Sequence, residues 1–171
     1  MQGVVPGYRF ASVDKGMGGV GRFTMKETQV VLLVDEAESD LILMRVALGK
    51  AGLKYPIQEA RDGQEAIDYL SGAGRYANRE RYPEPCLVIT ELWLPRVDGF
   101  ELLKWLKERP EFERLPRIVL TGLALREERK RAEELGCWEY LVKPTGYHEL
   151  IEVAARLDED WIKVYCAAAD K

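Results

Sequence analysis

Val30-Val31-Leu32-Leu33-Val34 is five apolar residues in a row, and it stops abruptly at Asp35-Glu36. A strand with one wet face alternates apolar and polar residues, whereas an unbroken run belongs to a strand buried on both faces, as in the middle of a parallel sheet. The pattern returns along the chain. Cys86-Leu87-Val88-Ile89-Thr90 stops at Glu91, Arg117-Ile118-Val119-Leu120 at Thr121, and Tyr140-Leu141-Val142 at Lys143-Pro144, with a shorter strand near Ile57. Between these runs the spacing changes to that of helices. Leu41, Met44, Arg45 and Leu48 are closed by Gly52; Ala66, Ile67 and Leu70 follow Asp62-Gly63; Leu102, Leu103 and Leu106 follow Asp98-Gly99. A charged helix is predicted from about Arg126 to Leu135 and an amphipathic one from near Tyr147, while the polar stretch from Ser71 to Pro85 reads as a loop. Strands alternating with helices in this way predict an α/β fold. It is a doubly wound five-stranded parallel sheet with five helices in three α/β/α layers, because parallel neighbours need crossovers and both sheet faces must be covered.

In such folds ligands bind beyond the carboxyl ends of the strands. Asp35, Glu36, Glu91, Thr121 and Lys143 stand at those ends. Three carboxylates, a hydroxyl and an ammonium form an oxygen-rich pocket suited to a hard divalent cation such as Mg²⁺. The competing reading is a solvated acidic rim with Lys143 as counterion. Random surface charge would not terminate successive apolar strands, which favours the shared pocket.

The chain's 171 residues allow one compact domain and an appendage. Residues 1–26 lack helical or strand periodicity and read as a glycine-rich extension, either disordered or an over-long start assignment with Met25 next to the body. Residues 27–160 read as the α/β domain and residues 161–171 as a helical tail. The leader carries Arg9, Lys15, Arg22 and Lys26 against Asp14, a net of +3 that leaves −7 on residues 27–171. Overall the charge is −4, the opposite of a nucleic-acid binder's basic footprint. Gly16-Met17-Gly18-Gly19-Val20-Gly21 matches G-x-G-x-x-G formally, but it is not followed by the helix that a dinucleotide or phosphate loop requires. No apolar run reaches the ~20 residues of a membrane span, and the N-terminus has no signal-peptide core, so a cytoplasmic protein is expected. Cys86, Cys137 and Cys166 are too widely spaced for a zinc site with the single His148, and they read as free thiols of a reducing compartment. His148 reads as a solvated residue.

The strand-end motifs resemble those of bacterial response regulator receiver domains over about residues 29–158. The resemblance rests on Val34-Asp35-Glu36, on Glu91-Leu92-Trp93-Leu94-Pro95-Arg96-Val97-Asp98-Gly99, on Leu120-Thr121-Gly122 and on Tyr140-Leu141-Val142-Lys143-Pro144. Glu65-Ala66-Ile67-Asp68-Tyr69-Leu70 and a tail with Trp161 make the layout similar to the small single-domain receivers that partner bacteriophytochrome-type kinases. The resemblance implies that a kinase histidine delivers a phosphoryl group to an aspartate at the position of Glu91. It implies that Asp35 and Glu36 hold Mg²⁺ together with Glu91, that Thr121 and Lys143 bind phosphoryl oxygens, and that Tyr140 is an aromatic switch whose ring turns inward when the threonine moves toward phosphate.

The chain departs from the family at the acceptor. Glutamate adds a methylene, and a misplacement of about 1 Å costs on the order of a hundredfold in an in-line transfer. The same reach brings the carboxylate toward the place of an aspartyl phosphate, where it is expected to meet Lys143 and Thr121 permanently with one charge in place of nearly two. Trp93 and Leu123 flank this pocket, and their bulk is expected to exclude water. Glu36 is also longer than aspartate, so Mg²⁺ binding should be weak.

The expected function is a stand-alone receiver-like signalling domain. It acts through contact with a histidine kinase or another signalling protein, independently of phosphorylation and without enzymatic activity of its own. The alternatives are a working phosphoacceptor and a flavodoxin-type flavin carrier. Trp161, Ile162, Val164 and Tyr165 form an apolar stripe that serves equally to cap the domain's own core or to join two chains into a homodimer.

Overall fold

The computed structural model describes residues 10–13, 23–26 and 29–166. In the leader, β1 (Phe10–Val13) and β2 (Phe23–Lys26) pair antiparallel, with Phe10 opposite Lys26 and Val13 opposite Phe23. Four-residue strands are too short to register as an alternating pattern, which is why the leader's sequence reads as irregular. The glycine motif at residues 16–21 lies outside the described residues.

The main sheet holds β3 (Val30–Val34), β4 (Ile57–Ala60), β5 (Pro85–Thr90), β6 (Arg117–Thr121) and β7 (Glu139–Val142) in the order β4-β3-β5-β6-β7. Every pairing in it is parallel. The crossovers are α1 (Glu38–Ala51), α2 (Gly63–Ser71), α3 (Gly99–Lys107) and α4 (Arg126–Glu134), followed after β7 by α5 (Tyr147–Leu157). A π-helical turn (Asp158–Ile162) and the short α6 (Lys163–Cys166) end the described chain.

Strand periodicity explains the layers. Val31 and Leu33 of β3 face α1 and α5, where they pack with Leu41, Met44, Leu150 and Leu157. Leu32 and Val34 face the other way, against Ala66, Tyr69, Leu70 and Leu102 of α2 and α3. Burying both faces is what the unbroken apolar runs required. Helix ends follow the predicted signals: Gly52 closes α1 at φ 99°, Asp62 accepts the Glu65 N–H at the start of α2, and Asp98 and Glu101 form a capping box on α3.

The cysteine expectation needs correction. Cys86 and Cys166 are disulfide-bonded across 80 residues of sequence, with Cα atoms 5.3 Å apart, and Cys137 is the free cysteine. The pairing depends on how the π turn folds back against the start of β5, a tertiary fact that sequence spacing does not carry. That fold-back also decides the apolar stripe. Ile162 is buried in the α1–α5 core and Trp161 packs against it, while Val164 is 55% exposed. The stripe therefore mainly caps the chain's own core.

Candidate functional site

The sheet order reverses between β3 and β5, and the residues that follow these two strands lie side by side at this switch point. Each ladder continues one residue beyond its strand. Asp35 N–H donates to the Ala60 carbonyl at 3.1 Å, Glu91 N–H to Val34 at 2.9 Å, and Lys143 N–H to Thr121 at 2.7 Å. Backbone pairing thus places three charged side chains at one edge of the sheet. Gly99 lets its helix approach the backbone after β5, since a Cβ there would lie 2.4 Å from the Glu91 carbonyl oxygen and 2.7 Å from Leu92 Cα.

Lys143 is the centre of the cluster. Its Nζ donates to Asp35 and, at 2.9 Å, to Asp40, and it lies 3.0 Å from Glu91 Oε2. Burial works against the ammonium, but the hydrogen bonds to Asp35 and Asp40 and the charges of Asp35 and Glu91 outweigh it and hold Lys143 above the ordinary lysine range. Asp35 is pushed up from the usual carboxylate range, first by its own burial, with its bonds to Lys143 and to the Ala37 N–H pulling the other way. Asp40 stands on the first turn of α1, and sequence reading missed it. The available signal was an acidic residue at the N-terminus of the helix that leaves Asp35.

Glu91 is held from four directions. Oε1 accepts from Leu92 N–H at 2.6 Å and Trp93 N–H at 3.5 Å; Oε2 accepts from Gly122 N–H at 3.4 Å and faces Lys143. The expected contact with Thr121 is absent: its hydroxyl is buried and has no hydrogen-bond partner, and the neighbouring Gly122 amide takes that place. Thr121 lies at the strand end as expected, but its hydroxyl makes no hydrogen bond to the carboxylate.

The three-carboxylate metal set does not assemble. Glu36 is exposed, and among the described residues no group of three His, Cys, Asp or Glu side chains is placed to hold a metal ion. Asp35 Oδ1 already accepts the Ala37 N–H at 3.0 Å, and its other oxygen accepts Lys143. In this arrangement the residues do not fit a divalent cation, because the ammonium occupies the centre of the negative charge.

The two flanking residues also differ from expectation. Trp93 is 52% and Leu123 44% exposed, and neither lines the cavity of about 240 Å³ bounded by Asp35, Asp40, Leu43, Glu91 and Lys143. Trp93 sets its ring edge-on to Phe100 at 6.4 Å, so it packs outward on α3 and does not seal the carboxylates. Tyr140 does turn inward: it is 3% exposed, donates its hydroxyl to the Leu123 carbonyl at 3.0 Å, and carries the Arg129 guanidinium 4.7 Å above its ring. A larger cavity of about 590 Å³ opens beside Arg79, Trp105, Arg109 and Phe112, away from the strand ends. Two of its three arginines are committed, Arg79 to the Tyr69 and Leu70 carbonyls and Arg109 to the Trp105 carbonyl and ring, and Arg114 is the third.

Comparison with known proteins agrees with this geometry. Residues 31–155 match the response regulator receiver domain family. The response regulator Rcp1 of Synechocystis sp. is 29% identical over 135 residues, covering 79% of this chain and 90% of Rcp1. A structure of Rcp1 in its Mn²⁺-bound form superposes with a TM-score of 0.71, covering 79% of this chain and 95% of that one. The bacteriophytochrome response regulator AtBRR is 35% identical with a TM-score of 0.64, covering 79% of this chain and 96% of that one. The strand-end cluster and these likenesses agree over the same stretch, and the chain belongs to the response regulator receiver domain family, the signalling domains of two-component systems.

Proposed function

We propose that this receiver domain signals through protein–protein contacts without needing phosphorylation, because Glu91 stands at the phosphoacceptor position and its carboxylate fills the anion site. The carrying observation is the convergence of Leu92 N–H, Trp93 N–H, Gly122 N–H and Lys143 Nζ on that one carboxylate. Backbone amides and an ammonium aimed at one place are what a phosphoryl group would otherwise recruit. In this reading Thr121 and Lys143 are the phosphate-binding equivalents and Tyr140 is the switch, held inward by the Leu123 carbonyl. The mimicry is partial, since one charge replaces nearly two and the Thr121 hydroxyl is left out.

Mg²⁺ binding is weak in this reading, because Lys143 already holds Asp35 and Glu91 and Glu36 turns to solvent. The partner is a histidine kinase or another signalling protein. Family membership replaces the flavin-carrier reading. Intact-mass measurement after incubation with acetyl phosphate and Mg²⁺ tests the proposal: the wild type should gain nothing and Glu91→Asp should gain one phosphoryl group. A phosphoryl group on the wild type that disappears in Glu91→Gln overturns it.

A further inference from the structure

The end of the sheet opposite Glu91 carries a second chemical feature, independent of the strand-end cluster. Cys86 is the second residue of β5, five residues before Glu91, so the two ends are about 16 Å apart along the strand. We propose that Cys86 and Cys166 form a reversible disulfide, a redox modification site that latches the segment Asp158–Cys166 onto the sheet.

The two sulfurs belong to elements of unequal strength. Cys86 lies in a central strand, bracketed by β3 and β6, and is fully buried. Cys166 is also fully buried, but it sits on α6, a four-residue helix preceded by a π turn. A single helical turn has no stability of its own and depends on what holds it down. Apart from the disulfide, the segment is held by Ile162 in the core, by the Trp161 indole bond to Glu139, and by an aromatic group in which Trp161 stacks on Tyr165 and both meet Trp138. Of its ion pairs, those of Lys163 with Asp158 at 3.0 Å and with Glu159 at 3.2 Å lie within the segment, and that of Asp160 with Arg156 of α5 at 3.5 Å is exposed on both sides and adds little hold. The covalent bond is therefore a large part of the hold, and local opening of this segment exposes Cys166 while Cys86 stays in the sheet.

Both redox forms are chemically accommodated. When reduced, the Cys86 thiol has the Val30 carbonyl oxygen 3.2 Å away as an acceptor, so the core is not left with an unpaired donor. Cys137, the remaining cysteine, donates to the Glu139 carbonyl at 2.7 Å, and burial pushes its thiol up to about 11, which makes it a poor competitor in exchange.

The oxidant is a low-molecular-weight disulfide. With the segment open, the Cys166 thiolate attacks one sulfur of that disulfide, breaking its S–S bond, and the first small thiolate leaves and takes up the proton Cys166 lost. On redocking, the Cys86 thiolate attacks the Cys166 sulfur of the mixed disulfide and expels the second small thiolate, which takes up the Cys86 proton. Two protein thiols are oxidised, one small disulfide is reduced to two thiols, and excess small thiol reverses both steps.

The test uses the full chain equilibrated over a range of reduced to oxidised glutathione, quenched in acid and alkylated under denaturing conditions. One alkyl group is expected on the oxidised protein, at Cys137, and three on the reduced protein. Hydrogen exchange over residues 158–166 should be on the order of tenfold faster, or more, after reduction. Cys137→Ser should keep the response, and Cys166→Ser should exchange like the reduced wild type at every ratio. Three alkyl groups at every ratio overturn the proposal, as does exchange over 158–166 that is the same in both forms.

Discussion

Asp40 Oδ2 lies 2.9 Å from Lys143 Nζ, so a side chain on the first turn of α1 is tied to the residue that follows β7. The contact joins two elements 103 residues apart in sequence and closes one wall of the cavity beside Glu91. Asp40 is 39% exposed at its side chain, and ion pairs that reach solvent are worth little. Asp40→Asn should therefore cost less than about 1 kcal/mol in urea unfolding. Its larger effect should be on the site, since Lys143 loses one competing carboxylate. Mg²⁺, followed by tryptophan fluorescence, should bind more tightly to Asp40→Asn than to the wild type; equal affinity would show that Asp40 does not restrain Lys143.

Lys143→Met is the opposite case. It leaves Asp35 and Glu91 without their shared cation, at side-chain exposures of only 7% and 10%. Removing one partner of a buried pair commonly costs about 3–5 kcal/mol, and that is the expected loss at neutral pH. The pH dependence follows from the raised Lys143 value. A lysine held above 10.5 in the folded state contributes its full stabilisation below pH 10.5 and loses it as pH rises through the folded value. The stability difference between wild type and Lys143→Met should thus shrink above pH 10.5. It should also shrink on the acid side, because Asp35, already pushed up by burial, takes up a proton there and no longer needs a counterion. A difference that stays constant from acid to alkaline pH would remove Lys143 from the centre of the cluster.

The strand ends were legible in sequence because a buried parallel strand announces itself as an unbroken apolar run, and the residue after it must face the ligand edge. That logic located Asp35, Glu91, Thr121 and Lys143 without coordinates. It failed where position along a strand does not determine direction. Glu36 follows Asp35 in sequence but turns to solvent, and Trp93 follows Glu91 by two residues but packs on Phe100. The Thr121 hydroxyl was expected at the carboxylate, whereas the Gly122 amide makes that contact, because backbone donors are invisible in a list of side chains. Asp40 and the Cys86–Cys166 bond were missed for a common reason. Each joins segments brought together by the packing of helices on the sheet, across 103 and 80 residues respectively, and local periodicity holds no information about such pairs.

Gly99 is the position where the site tolerates least. Its Cβ would fall 2.4 Å from the Glu91 carbonyl oxygen and 2.7 Å from Leu92 Cα, and both obstacles are backbone atoms that cannot swing aside. The Gly99 N–H also donates to the Leu92 carbonyl at 2.8 Å, which pins α3 against the loop that supplies two of the donors to Glu91. Gly99→Ala should cost at least the ~1–3 kcal/mol typical of overpacking, and it should displace the Leu92 and Trp93 amides together. Amide chemical shifts at Leu92, Trp93 and Gly122 give the direct readout. Unchanged shifts in a folded Gly99→Ala protein would mean that the helix, and not the acceptor loop, absorbs the added methyl group.

Tyr140 separates the packing role of its ring from the positioning role of its hydroxyl. The ring lies in the cluster formed by Leu92, Phe100, Leu103, Val119 and Ala132, so Tyr140→Ala should cost about 3–5 kcal/mol as a large-to-small core change. The hydroxyl bonds to the carbonyl of Leu123, a residue 44% exposed, where water can replace it. Tyr140→Phe should therefore cost only about 1 kcal/mol. What it should change is the loop. Without the hydroxyl, the stretch from Gly122 to Leu125 loses its tie to β7, and its amides should exchange faster while those of β6 and α4 do not. If partner recognition uses this loop in the conformation that Tyr140 fixes, affinity should fall in Tyr140→Phe with little loss of stability. Exchange at residues 122–125 that matches the wild type would leave the inward tyrosine as a core residue with no part in setting the signalling conformation.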